Sequence, residues 1–181
     1  MNSKIGYSVF PSTWVEQKIH LEALYHDGSA IFTSLHISEE FNAEYTENAI
    51  EMLAFCKKIG YQIIADISPR TLAMFGFETI SDLYKNLPVD IVRIDFGFTL
   101  DEVLEASKIV PICLNASTLS TEWLLAVKET NRKFFAMHNY YPRPETGLDR
   151  LQFDNRNRQL KQYNIEIMAF IPGDLKKRGP I

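Results

Sequence analysis

Seven short runs rich in β-branched and other apolar residues recur along this chain at nearly even spacing, and that recurrence limits the folds open to it. The runs are Ile5–Phe10, Ala30–Leu35, Gln62–Asp66, Ile91–Asp95, Pro111–Asn115, Lys133–His138 and Glu166–Phe170. Their last residues lie 20 to 32 positions apart, room for one strand and one returning helix each time. Runs this continuous in apolar residues are typical of parallel strands covered on both faces, and parallel neighbours require a crossover connection.

The connections carry helix signals. Thr13 with Glu16 and Thr99 with Glu102 have capping-box spacing, in which each side chain satisfies an exposed backbone donor. Asp27-Gly28 and Gly60 stand where helices should end, because glycine accepts the left-handed geometry beyond a C-cap. Ala49, Leu53, Cys56 and Ile59 fall three or four apart and predict one buried stripe. Ser68-Pro69 reads as an N-cap followed by proline at the first helical position. A polar helix is expected from Leu148 to Tyr163, with Leu151 and Leu160 towards the core.

The pattern predicts an α/β fold, a TIM-type (β/α) barrel rather than an open sheet. A Rossmann sheet would want G-x-G-x-x-G after its first strand, and Ser8-Val9-Phe10-Pro11-Ser12 has nothing of the kind. A complete barrel takes about 250 residues. With 181 residues and seven strands, the expectation is one incomplete barrel domain over residues 1–181, truncated after the seventh strand. An open barrel leaves unpaired backbone at strands one and seven, so self-association or a complementing C-terminal fragment is expected at that edge.

Composition narrows the function classes. The chain is 46% hydrophobic and 23% charged with a net charge of −4, which argues against a basic nucleic-acid interface. No apolar run approaches about 18 residues and the start shows no signal-peptide pattern, so neither a membrane span nor secretion is expected. Cys56 and Cys113 form no disulfide or metal framework, as suits buried thiols in a cytoplasmic protein.

Functional groups of a parallel barrel gather at the carboxyl ends of its strands, and the polar residues of this chain collect there. They include Ser8, His36, Asp66 with Arg70, Arg93 with Asp95, Asn115 with Ser117 and Thr118, and His138-Asn139-Tyr140-Tyr141-Pro142-Arg143. Pro172-Gly173-Asp174 and Lys176-Lys177-Arg178 follow the last run. Asp66 and Asp95 end neighbouring strands, and two close carboxyls can split into an acid and a base or nucleophile, the pairing that glycoside hydrolysis requires. The alternative is structural: each aspartate pairs with Arg70, Arg93 or a backbone amide. His36 and His138 lack the spacing of metal ligands and suit substrate hydrogen bonding or a structural role equally. No metal or cofactor is expected. Arg143, Lys177 and Arg178 suit a phosphate, since loops late in a barrel often bind one; a solvated charge run is the alternative. Ser117 sits in no G-x-S-x-G elbow, and no strand ends in a lysine fit for Schiff-base chemistry.

Several segments together resemble one family. Tyr7-Ser8-Val9-Phe10-Pro11, Ile31-Phe32-Thr33-Ser34-Leu35-His36, Ile64-Ala65-Asp66-Ile67-Ser68-Pro69-Arg70, Arg93-Ile94-Asp95-Phe96-Gly97-Phe98, Leu114-Asn115-Ala116-Ser117-Thr118, the stretch from His138 to Leu148, and Phe170-Ile171-Pro172-Gly173-Asp174 occur in this order. In them the chain resembles the bacterial 6-phospho-N-acetylmuramidase family, long labelled outer surface protein homologues. The resemblance implies a cytoplasmic glycoside hydrolase of cell-wall recycling that cleaves N-acetylmuramic acid 6-phosphate–N-acetylglucosamine. It also implies a TIM barrel followed by a cyclophilin-like domain, the second of which is expected to be absent from residues 1–181. Asp66, Asp95, Asn115 and His138 match the family's motifs in place. On the physical argument of two neighbouring strand-end carboxyls, the expected catalytic pair is Asp66 and Asp95. The expected substrate contacts are His36, Arg70, Asn115, His138, Asn139, Tyr141, Arg143, Asp174, Lys177 and Arg178, with a phosphosugar as the partner. The competing expectation is a non-catalytic barrel lobe that binds a phosphosugar or associates with a complementing fragment.

Overall fold

Among the described residues, every hydrogen-bonded pair of strands is parallel, and the strands follow one another across the sheet in chain order. The computed structural model describes residues 6–35, 43–131, 133–140 and 148–170. The strands are β1 (Gly6–Ser8), β2 (Ala30–Ser34), β3 (Gln62–Ile67), β4 (Ile91–Ile94), β5 (Ile112–Asn115), β6 (Phe135–Asn139) and β7 (Ile167–Phe170). The helices are α1 (Trp14–Leu24), α2 (Ala43–Ile59), α3 (Pro69–Phe75), α4 (Ile80–Asn86), α5 (Leu100–Ser107), α6 (Thr121–Thr130) and α7 (Leu148–Lys161). Together they make an open, TIM-like half-barrel, with β1 and β7 as its edges among the described residues.

Each strand alternates between two apolar layers. Ile31, Ile63, Ala65, Val92, Ile94, Ile112, Leu114, Ala136 and Ile167 face the helices and join the main core. Ala30, Phe32, Ile64, Ile91 and Cys113 form a second, inner cluster, with Phe135 and Met137 packed against it. The inner layer is where a barrel presents side chains to its mouth, so position along the alternation decides which polar residues share one space.

Local signals mostly fold as their chemistry dictates. Thr99 accepts from the backbone of Glu102 while the Glu102 carboxylate takes the Thr99 N–H at 2.7 Å, a closed capping box. Ser68 precedes Pro69 at the head of α3, and its backbone N–H donates to Thr71 Oγ1 at 3.0 Å. Ala49, Leu53 and Cys56 are fully buried on α2. Two expectations are corrected. Thr13 makes no side-chain cap at α1, because its backbone (ψ near 0°) departs from the extended form in which the hydroxyl meets the next turn. On α7, Leu160 is buried but Leu151 is 56% exposed, since the helix turns Phe153 and Leu160 inward instead. Helix α4, opened by its own capping box of Thr79 and Asp82, was not predicted.

Candidate active site

The register brings Asp66 and Arg93 side by side. Their Cα atoms are partners across β3 and β4, on the inner face two residues beyond Ile64 and Ile91. Both side chains are nearly inaccessible, and Arg93 Nη1 donates to Asp66 Oδ2. The same nitrogen lies 3.9 Å from Oδ2 of Asp95, which follows β4 and is more open to solvent. Arg93 Nη2 donates to Asn139 Oδ1 at 3.2 Å, and the guanidinium stands 5.8 Å from the centre of the Phe32 ring. One buried cation thus holds two carboxylates and an amide, with an aromatic face beneath it.

The turn after β5 closes the other side. Thr118 Oγ1 donates to Asp95 Oδ1 at 2.7 Å, with the Asp95 carbonyl oxygen 3.1 Å away. Asn139 N–H donates to Ser117 Oγ at 2.7 Å. Asn115 is fully buried in register with Met137, and its Oδ1 accepts the Ser117 N–H at 2.9 Å. Its Nδ2 makes no hydrogen bond among the described residues, leaving a buried donor on the inner face.

The two carboxylates sit in different surroundings. Burial pushes Asp66 up to about 7, the neighbouring Asp95 charge adds to the rise, and Arg93 pulls against both. Burial thus favours the protonated form of Asp66, while Arg93 favours the charged one. Asp95 is the more accessible of the two and is steadied by a hydroxyl donor. This contrast is the arrangement that lets one carboxyl give a proton while the other acts as base or nucleophile.

Of the residues anticipated from sequence, Asp66, Asp95, Asn115 and Asn139 converge. His138 does not join them: it alternates onto the helix-facing side, where its ring packs edge-on against Phe153 of α7 at 5.7 Å and its Nδ1 lies 2.7 Å from the Asn139 carbonyl. Arg70 is exposed on the first turn of α3. His36, Tyr141, Arg143, Asp174, Lys177 and Arg178 lie outside the described residues. The structural alternative for Asp66, pairing with Arg93, is realised. Thr118 as the partner of Asp95 was not anticipated; the available signal was a hydroxyl residue three positions beyond the end of β5. Among the described residues, no three or more His, Cys, Asp or Glu side chains gather to hold a metal ion, and no helix is long and apolar enough to cross a membrane.

Comparison with known proteins adds an independent line. The family model described as 6-phospho-N-acetylmuramidase, N-terminal, matches residues 5–181. A crystal structure of a conserved protein of unknown function from Enterococcus faecalis aligns with 99% of the chain at 34% identity and a TM-score of 0.75. The chain spans about half of that relative, 51% of its length. A protein from Streptomyces avermitilis, provisionally named orotidine 5′-phosphate decarboxylase, aligns with 96% of this chain and 67% of its own at 11% identity and a TM-score of 0.44, too low to support an argument. No curated protein matches.

Proposed function

The chain belongs to the 6-phospho-N-acetylmuramidase family through its N-terminal domain, and from that premise we propose that it is the barrel domain of a cytoplasmic glycosidase of cell-wall recycling. Its substrate is the disaccharide N-acetylmuramic acid 6-phosphate–N-acetylglucosamine. The smaller cyclophilin-like domain implied by the resemblance lies beyond these 181 residues in such an enzyme.

One observation carries this reading: Asp66 and Asp95 approach the same Arg93 nitrogen from environments that differ in burial. Asp66, raised by burial, is the general acid that protonates the leaving oxygen. Asp95, held by Thr118, is the base or nucleophile. Arg93 keeps the two carboxyls in fixed relation and tempers the rise at Asp66. Asn139 offers a hydrogen bond to the sugar, buried Asn115 holds the Ser117 turn beside it, and Arg70, exposed at the head of α3, is assigned a sugar contact from the sequence alone. Likewise from the sequence alone, Arg143, Lys177 and Arg178 are assigned to the phosphate and the lactyl carboxylate, and His36, Tyr141 and Asp174 to further contacts with the substrate. His138 supports the site from behind.

The test is incubation of the chain with the phosphorylated disaccharide and with the same disaccharide lacking the phosphate. Release of both sugars from the phosphorylated form alone supports the reading. Equal release from both contradicts the phosphate assignment, and no release from either contradicts hydrolysis by this chain.

A second reading starts from β1 and β7, which are the edges of the sheet among the described residues. In it the chain is a lobe that binds the phosphosugar without turnover, alone or with a fragment that pairs with β1 and β7. Binding without release, or release only after such a fragment is added, distinguishes this reading from the first.

A further inference from the structure

Helix α7 grips the turn that carries Thr118. Arg156, half-buried on that helix, donates from Nε to the Ala116 carbonyl at 3.0 Å and from Nη2 to the Leu119 carbonyl at 2.8 Å. Its Nη1 donates to Thr121 Oγ1 at 2.8 Å and to Gln159 Oε1 at 2.7 Å. The two carbonyls bracket Ser117 and Thr118, whose hydroxyls meet Asn139 and Asp95. Within the turn, the Leu119 N–H returns to the Asn115 carbonyl at 3.0 Å. A planar guanidinium with donors pointing in fixed directions can hold both ends of a four-residue turn, whereas an ammonium supplies one point of attachment.

We propose that Arg156 is a positioning residue: by fixing the Ala116–Leu119 turn, it sets where the Thr118 hydroxyl meets the Asp95 carboxylate. The proposal rests on the reading of Asp95 as one of the two reacting carboxyls. Its physical content is narrower than general support of the fold. The pinned carbonyls flank the two residues that touch the site, and displacement of a supporting group by about 1 Å can lower a rate by as much as roughly 10²-fold. The effect belongs in turnover rather than in substrate affinity, because Arg156 contacts the turn and not the inner face.

The experiment uses protein with 13C-labelled aspartate carboxyls, the Asp95 resonance being assigned by its loss in Asp95→Asn. Arg156→Gln, Arg156→Lys, Thr118→Val and the double variant Arg156→Gln/Thr118→Val are compared with the parent. Each Arg156 variant is expected to move the Asp95 resonance in the same direction as Thr118→Val, and Arg156→Gln should add nothing in the Thr118→Val background. Turnover of the phosphorylated disaccharide should fall roughly 10- to 10²-fold with KM within about twofold. The proposal is overturned if Arg156 variants lower only the melting temperature and leave the Asp95 resonance in place. It is equally overturned if the Arg156→Gln shift adds in full to that of Thr118→Val. Should Arg156→Gln fail to fold, Arg156→Lys carries the same comparison. Absence of turnover in the parent counts against the glycosidase reading, while the resonance comparison still decides the role of Arg156.

Discussion

Arg93 donates to Asp66 across the β3–β4 register that pairs their Cα atoms, and both side chains are withdrawn from solvent. A buried ion pair is a weak source of net stability, because both charges give up hydration; breaking it from one side is far more damaging. The pair matters here for what it fixes: the place of one carboxyl and, through the same nitrogen, its relation to Asp95.

Arg93→Met should therefore destabilise the chain by about 1–3 kcal/mol near neutral pH, since the buried carboxyl loses its donor and takes up a proton. Arg93→Met combined with Asp66→Leu should lose less than the sum of the two single changes. Urea unfolding of the three variants measures this, and strict additivity would contradict a coupled pair.

Asp66 also imposes a pH dependence with a definite sign. Its folded value, about 7, lies above its ordinary 3.8, so the folded chain binds the proton more tightly than the unfolded one. Its contribution to stability is full below about pH 4 and is lost as pH rises towards 7. Between those limits the unfolding midpoint of the parent should fall relative to that of Asp66→Asn. A difference that stays constant, or that grows in favour of the parent as pH rises, would remove the raised value.

Two threonines, each three residues ahead of an acidic side chain, should behave differently. Thr79 accepts the Asp82 N–H at 3.1 Å, whereas Thr13 caps nothing. Thr79→Ala should lose about 1 kcal/mol and Thr13→Ala less than about 0.5 kcal/mol in chemical denaturation. Equal losses would contradict the observed caps.

Neither cysteine should react in the folded state. Cys56 and Cys113 are fully buried, burial pushing the Cys56 thiol up to about 11 and Cys113 upward as well. A thiol-specific disulfide reagent at neutral pH should titrate no thiol natively and two after unfolding in denaturant. Fast native modification of either would show that its surroundings open readily.

Much of the fold was legible because most strands are nearly continuous apolar runs with polar groups at or just beyond their carboxyl ends. That same continuity hid which residues share a face. With both sides of a parallel sheet buried, no apolar–polar alternation shows whether His138 or Asn139 points inward, and the helix-facing side took His138. The acid pair was visible as two strand ends. That Arg93 would bridge it was only one of several pairings, decided by the β3–β4 register. Helix α4 is seven residues long, too short for a periodic stripe to stand out. Arg156 left no local signal, since its partners Ala116 and Leu119 lie 40 and 37 residues away.

The most direct test of the central claim is the hydrolysis rate of N-acetylmuramic acid 6-phosphate–N-acetylglucosamine by Asp66→Asn and Asp95→Asn beside the parent. The account predicts that each loses roughly 10²-fold or more in kcat, the scale of a missing acid, base or nucleophile, while both still bind the disaccharide. Parent rates in both variants would contradict it.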